Sequence, residues 1–317
     1  VRRQRGIALI TAILLVALAT ILAATIGYEN AMSARRGTAT FALDQSVEVA
    51  KAAEAIAAFA LRATRQQNHT ATYKGQPWST PYGPVDLVPG VTLEAWLDDS
   101  QGRFNLNNLV NSDGTTNPDA VTVFENLLTI LGLEPTWAPM MADWIDSDTV
   151  PNNPNGAEDS VYLSQTPPYR AANMFITNAS EILALPGFGR DRYLKLEPFI
   201  TALPQGVGID LCDASIELLN ALGNVGNTGG TTTNFSDPQS LGNSRAEGCF
   251  PTQQEFDALF SDATARQKAD GMVTSISNYF TLTSIVTIGS TQFALYSLMH
   301  QEGDLRVRSI QRSFTAD

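Results

Sequence analysis

Val1-Arg2-Arg3-Gln4-Arg5-Gly6, followed by the uncharged run Ile7-Ala8-Leu9-Ile10-Thr11-Ala12-Ile13-Leu14-Leu15-Val16-Ala17-Leu18-Ala19-Thr20-Ile21-Leu22-Ala23-Ala24-Thr25-Ile26-Gly27-Tyr28, is the stretch on which the fold turns. At about 1.5 Å per residue, Ile7 to Tyr28 makes a helix of about 33 Å, enough to cross a bilayer core of about 30 Å. Three arginines and no acid precede it, which keeps the N-terminus cytoplasmic and sends the rest of the chain outward.

Three readings of this stretch compete. Ala17-Leu18-Ala19 offers the small-x-small pattern of a cleaved secretory signal, in which case Val1 to Ala19 is removed. An uncleaved signal anchor is the second. In the third, a basic leader ending at Gly6 is cut off and the apolar helix is kept, so that Ile7 becomes the first residue. The residues beyond Tyr28 separate the three. From Glu29 to Gln66 there is no proline and one glycine, Gly37, with abundant alanine, so helix propensity continues unbroken. Val49, Ala52, Ala53, Ile56, Phe59, Ala60 and Ala63 recur at helical spacing and predict one apolar stripe. A single helix from Ile7 to about Gln66, about 90 Å long, has its first third in lipid and its last third on a soluble domain.

Beyond the helix, 317 residues with 44% hydrophobic content leave ample chain for one or two cores. A net charge of -12 argues against a nucleic-acid partner, which needs clustered Lys and Arg. Pro77 to Gly90 reads as a connector of turns. Val91 to Leu97 and Gly102 to Asn107 read as strands, as do Tyr279 to Ile288, Gln292 to Met299 and Leu305 to Phe314. A long helix on an antiparallel sheet assembled from both ends of the globular region is an α+β core.

Between those strands the pattern turns helical. Asn117-Pro118 starts a helix that Gly132 stops; Pro135 to Ile145, Ser180 to Leu185, Arg190 to Ile200, Ala214 to Leu222 and Thr252 to Ala269 come after it. Residues 110–271 are therefore predicted to be a mostly helical insertion. Within it, Asn178-Ala179-Ser180 to Gly189 is echoed by Asp213-Ala214-Ser215 to Gly223, resembling half of a helix-hairpin-helix or sterile-alpha-motif-like unit. Arg190, Arg192 and Lys195 follow the first copy but Glu181, Asp191 and Glu197 dilute them, which favours two small helical cores over a phosphate-binding turn.

Cys212 and Cys249 flank a Gly/Thr/Asn-rich stretch; they pair across it in an oxidising compartment such as the periplasm, or stand as two unrelated buried thiols. Asp143, Asp146 and Asp148 end a helix, and Glu158-Asp159 follow an Asn/Pro/Gly turn. Hard oxygen donors without His or Cys suit calcium, with Asp146, Asp148, Glu158 and Asp159 as candidate ligands; the spacing is not an EF-hand, and a solvated acidic turn is the competing reading. The two histidines, His69 and His300, sit apart from any triad or metal spacing, and no phosphate loop or nucleophile elbow occurs, so no enzyme is expected.

Five motifs together resemble the K-type minor pseudopilin of the bacterial type II secretion system, the general secretion pathway protein K family. They are Arg5-Gly6 before Ile7-Ala8-Leu9-Ile10-Thr11, Gly102-Arg103-Phe104-Asn105-Leu106-Asn107-Asn108-Leu109, Ala142-Asp143-Trp144-Ile145-Asp146-Ser147-Asp148, Pro168-Tyr169-Arg170-Ala171-Ala172-Asn173 and Ser180-Glu181-Ile182-Leu183-Ala184-Leu185-Pro186-Gly187. The resemblance covers nearly the whole chain. It implies a pilin-like fold divided into a prepilin leader (1–6), a transmembrane helix (7–28), a spine helix with the first strands (29–109), the inserted domain (110–271) and closing strands (272–317). It implies cleavage between Gly6 and Ile7 by prepilin peptidase, methylation of the new N-terminus, and a single pass through the inner membrane with the bulk of the chain in the periplasm. It further implies calcium in the insertion and a pseudopilus-tip complex with minor pseudopilins I and J, with H beneath, serving export of folded proteins across the outer membrane.

Pilin-like chains mostly carry Glu at the fifth mature residue; here that position is Thr11. A buried carboxylate is tolerable only when paired, and a subunit at the tip has no neighbour above to pair with it. Thr11 therefore suits an initiating, capping subunit. The alternatives from other classes are a membrane-tethered helix-hairpin-helix DNA-binding protein of an uptake system, and a secreted calcium-binding domain with a removed signal.

Overall fold

The computed structural model describes residues 5–152, 154–226, 234–303 and 306–314; residues 1–4 of the expected leader lie outside them. Helix α1 (Arg5–Gln67) runs unbroken through 63 residues, as the proline-free, alanine-rich sequence requires. Its stretch from Ile7 is long and apolar enough to cross a membrane and is bare of packing contacts.

Five strands make one antiparallel sheet: β1 (Tyr82–Val88), β2 (Val91–Asp99), β7 (Tyr279–Ile288), β8 (Thr291–Glu302) and β9 (Arg306–Ser313), in the order β1-β2-β7-β8-β9. The β2–β7 register, Val91 opposite Ile288 through Asp99 opposite Phe280, joins chain segments nearly 200 residues apart into the centre of the sheet. Val91, Leu93, Ala95 and Leu97 alternate inward from β2 and meet Ala50, Ala53, Ala57, Ala58 and Leu61 of α1 in a core closed by Trp78, Phe280, Leu282, Val286, Leu295 and Met299. Alanines on the helix let its backbone come close to the bulky sheet face. Glu54, 8% exposed, fixes the rotation: its carboxylate accepts from Arg312 Nε and Nη2 and from Ser297 Oγ, each at 2.7 Å.

The buried face of α1 differs from the predicted stripe. Ala52, Ile56 and Phe59 point outward, Phe59 with 68% of its surface exposed, while Ser46, Ala50, Glu54, Ala57 and Leu61 point inward. The helix docks on its small residues and its Glu54 partner, which leaves the larger apolar side chains free. The connector expected as turns instead contains β1; its Pro84 is tolerated because β1 is an edge strand that needs no donor on its outer side.

The second core belongs to the insertion, and it begins earlier than residue 110. Phe104 is buried and stacks on Phe124 (centroids 5.1 Å apart), and Leu106, Leu109 and Val110 join the same cluster. Gly102 to Asn107, expected as a strand of the sheet, gives only the two-residue β3 (Phe104–Asn105), which pairs in parallel with β4 (Ile200–Thr201) of the insertion. The asparagines explain why. Asn105 holds Leu203 N–H and Pro204 O, Asn107 holds Ile176 N–H, Ile176 O and Leu203 O, and Asn108 holds Gly206 N–H and Val207 O, at 2.7–3.0 Å. These amides satisfy loop groups of the insertion, so their segment goes with it. Likewise β5 (Ile209–Asp210) pairs with β6 (Val273–Thr274), which puts the insertion's exit past residue 271.

Helices α2 (Pro118–Ile130) and α3 (Trp137–Ile145) form as read, with Asn117 capping the first through Ala120 N–H. The short α4 (Asp159–Tyr162), α5 (Arg190–Leu196) and α6 (Ile216–Gly223) come next, then α7 (Pro238–Ala246), which sequence reading missed. The helix predicted over Thr252–Ala269 is two, α8 (Gln253–Asp257) and α9 (Ala263–Asp270), because Asp262 caps Ala265 N–H and restarts the chain. The helix expected over Ser180 to Leu185 is a 3-10 turn, Ala179–Ala184. Both hairpin-like copies bury their apolar residues in the one large core, Ile182, Leu185 and Phe188 with Leu218, Leu219 and Leu222. A disulfide joins Cys212 to Cys249.

Candidate metal centre

Helix α3 ends at Asp146, whose extended backbone (φ -64°, ψ 168°) turns the chain out while its N–H still bonds Ala142 O at 2.9 Å. Asp148 caps the following turn by accepting from Val150 N–H at 2.7 Å. The loop then returns to the same place because Asp143, fully buried one turn earlier on α3, holds it there. Its carboxylate accepts from Asn152 N–H (3.1 Å), from the Asn152 side-chain amide and from Ala157 N–H (2.7 Å). Asn155 takes a left-handed conformation (φ 74°), and Gly156 N–H closes onto Asn152 O at 2.6 Å. A Cβ on Gly156 would overlap Asn152 N, Asn152 O and Asp143 Oδ2, so only glycine fits.

The result is that Glu158 arrives beside the end of α3. One carboxylate oxygen from each of Asp146, Asp148 and Glu158 lies within 4.8 Å of the others. Asp146 and Glu158 are buried, and among the described residues Asp146 Oδ1 and both Glu158 oxygens have no hydrogen-bond partner. Trp144, Tyr162 and Tyr169 pack on one another with ring centroids 5.1–6.3 Å apart, and the charges of Asp143 and Glu158 reach the Tyr162 hydroxyl. Among the described residues no Lys or Arg pairs with Asp143, Asp146, Asp148 or Glu158. Burial, then repulsion from Asp148 and Asp143, pushes Asp146 up to about 6. Burial, then repulsion from Asp143, Asp146 and Asp148, pushes Glu158 up to about 7. Burial also raises Asp143, against its hydrogen bonds, and the Tyr162 hydroxyl.

Asp159 does not join the cluster. Its carboxylate faces Arg170 Nη1 at 3.4 Å and accepts from Ala171 N–H at 3.1 Å, which ties α4 to the Pro168–Asn173 segment. Asp143, Asn152 and Gly156, which build the loop, were not among the candidate ligands; the i, i+3 placement of Asp143 and Asp146 on α3 is the signal that was there to read. An all-oxygen set of partly buried carboxylates, with three oxygens left unsatisfied, fits a hard divalent cation, and the loose geometry suits calcium.

The other candidate residues lie elsewhere. Gly6 and Ile7 fall in the first turns of α1, and Thr11 Oγ1 bonds Ala8 O at 3.0 Å on its exposed surface. At the first hairpin copy, Arg192 is held by both oxygens of Glu134 (3.1 Å each) and donates to Gly187 O and Phe188 O, so this arginine and those two carbonyls of the turn are already engaged.

Comparison with known proteins places these features together. The family model described as "Type II secretion system (T2SS), protein K" matches residues 102–205, the segment with the asparagine motif and the acidic loop. The type II secretion system protein K of Pseudomonas aeruginosa is 30% identical over 98% of this chain and 93% of its own length. The protein of the same name from Klebsiella pneumoniae is 34% identical over 63% of each chain. Among solved structures, the GspK-GspI-GspJ complex from the enterotoxigenic Escherichia coli type 2 secretion system contains a chain with the same fold. It superposes with a TM-score of 0.72 at 23% identity, over 89% of this chain and 100% of that one.

Proposed function

The chain belongs to the type II secretion system protein K family, and from that premise we propose that it is the minor pseudopilin that starts and caps the tip of the periplasmic pseudopilus. The observation that carries this is the separation of its joining surface from its bulk. The bare apolar segment of α1 continues into the exposed side chains of Ala52, Ile56 and Phe59, a face fit to pack against helices of sister subunits. The insertion sits at the opposite end of α1, where Arg65 Nη2 bonds Ser277 O and Thr72 N–H bonds Ser275 O, both at 2.8 Å. A subunit of this shape joins neighbours below and blocks the place above. Pseudopilins I and J are the expected partners, with H beneath. Prepilin peptidase cleavage after Gly6 exposes Ile7, and the retained helix anchors the chain once through the inner membrane, its N-terminus cytoplasmic.

Calcium held by Asp146, Asp148 and Glu158 fits this role as a structural ion. It supplies positive charge that lets three carboxylates stay ionised in a partly buried site, and it ties the end of α3 to the start of α4. Asp143 positions the loop without ligating.

Two measurements test the proposal. The N-terminal sequence of the processed chain should begin at Ile7; a start at Thr20 sinks it in favour of a secreted domain. Co-purification with pseudopilins I and J should succeed and should weaken for Phe59→Glu; no complex with either partner contradicts it.

A further inference from the structure

The place where the chain leaves the sheet and returns to it is a single buried knot. Asp99 ends β2, Asp210 lies in β5 of the insertion, and Ser277 shortly precedes β7. All three are at most 4% exposed. Around them, Asp210 N–H bonds Gln101 O, Ser277 N–H bonds Thr72 Oγ1, and the Gln101 amide bridges Gly208 O to Asn278 N–H.

The Ser277 hydroxyl is in hydrogen-bond contact with Asp99 Oδ2 and, at 2.7 Å, with Asp210 Oδ2. A hydroxyl carries one proton and an ionised carboxylate carries none. Ser277 can donate to only one of the two, so the other contact needs a proton on the carboxyl side. Each carboxyl also accepts one backbone N–H through Oδ1, Asp99 from Gln101 at 2.8 Å and Asp210 from Cys212 at 2.9 Å, so the backbone does not choose between them; Asp99, which burial and then the charges of Asp210 and Asp213 hold well above the ordinary range, is the one that keeps the proton. The chain of hydrogen bonds therefore runs from an Asp99 carboxylic acid, through the Ser277 hydroxyl, to the Asp210 carboxylate.

We infer that Asp99, Ser277 and Asp210 form a proton-held joint: one retained proton links the inserted unit to the pilin sheet, and losing it loosens that link. Two ionised carboxylates on one hydroxyl leave an unmatched buried charge, which is strongly unfavourable. Of the facing cations among the described residues, only Arg245 is reached by the charge of Asp210, and it forms no salt bridge with it. Asp213, beside it, is taken by Lys74 Nζ at 2.9 Å, with Asp98 adding further negative charge. Arg245 is committed to Leu211 O, Ala214 O and Phe250 O, and Arg65 donates to Ser277 O. Among the described residues no cation pairs with Asp99 or Asp210. Burial and then the Asp210 charge hold Asp99 well above the ordinary range, and burial lifts Asp210 to about 6.

The linkage has a definite sign. A carboxyl whose pKa is raised in the folded state contributes stability that is full below the unfolded value of about 3.9 and is lost as pH rises through the folded value. In that window the opening constant of the joint rises by up to about tenfold per pH unit.

The test uses the full chain in detergent micelles. With 13C-labelled aspartate, one side-chain carboxyl should keep the chemical shift of the acid at neutral pH, and that signal should disappear in Asp99→Asn. Hydrogen exchange at the amides of Asp210, Leu211 and Ser277, corrected for its intrinsic pH dependence, should speed up with pH in the wild type. In Asp99→Asn, whose amide donates to Ser277 permanently, the same exchange should be flat. Finding every aspartate ionised at neutral pH in the wild-type chain overturns the inference without recourse to a variant, and an unchanged pH slope in a folded Asp99→Asn overturns it as well.

Discussion

Gly156→Ala tests the acidic loop more sharply than any ligand substitution, because it leaves every carboxylate in place. The new methyl group would occupy the space of Asn152 N, Asn152 O and Asp143 Oδ2, so either the Asp143 carboxylate or the Asn152 turn must move. Asp143 then loses two of its bonds, those from Asn152 N–H and Ala157 N–H. Hydrogen bonds to a charged group contribute about 1.5–3 kcal/mol each, so closing the loop is disfavoured by about 3–6 kcal/mol. Since the loop must close to bring Glu158 to Asp146, the lower figure already weakens calcium binding by about 100-fold, at about 1.4 kcal/mol per tenfold. Calorimetric titration reads the affinity directly, and thermal unfolding reads it through linkage. At a calcium concentration about 100 times its dissociation constant the wild type gains about 2.7 kcal/mol, whereas the variant at the same concentration gains about 0.4 kcal/mol. A Gly156→Ala chain that binds calcium within about threefold of wild type refutes the view that this backbone position assembles the site.

Other outcomes come from the same geometry. With a chelator present, Asp146 and Glu158 have raised folded-state pKa values, so their contribution to stability is greatest below their unfolded values and is lost as pH rises through about 6 and about 7. Melting temperature against pH should therefore fall over that range in chelator and be rescued by calcium. Glu54→Ala should lower stability by about 1–3 kcal/mol, since it removes the charged partner of the buried Ser297 hydroxyl and of the half-exposed Arg312 at the helix–sheet contact; denaturant titration checks this. Burial works against the Glu54 charge, but the Arg312 and Ser297 hydrogen bonds outweigh it, so Glu54 stability is present above its unfolded value and lost as pH falls through the lowered one. Replacing Cys212 and Cys249 by serine opens a loop of sequence separation 37 and should cost about 4 kcal/mol in oxidising buffer, with no effect of reductant on the double variant.

Features with a local physical cause were readable from the chain. The long helix comes from an alanine-rich run without proline, α2 from Asn117-Pro118, and the central strands from their alternation. Features decided by distant partners were not. Gly102 to Asn107 alternates like a strand, but Asn105, Asn107 and Asn108 bond to loops about 70–100 residues onward, and those partners are invisible in a short window. The apolar residues of α1 announced a buried face, yet Glu54 and its Arg312 partner rotate the helix so that Ile56 and Phe59 face out. In the acidic loop the residue types suggested oxygen ligation, and the separation of Asp159 from its neighbour Glu158 came only from Arg170 and Ala171 claiming its carboxylate. The proximity of Asp99 to Asp210 depends entirely on tertiary structure.

The position of the chain in assembled fibres bears most directly on the account. Gold-labelled antibody against the insertion, applied to sheared pseudopili and viewed by electron microscopy, should mark one end of each fibre and nowhere else. Label spread evenly along the fibres would contradict the claim that the bulk carried beyond α1 ends the filament.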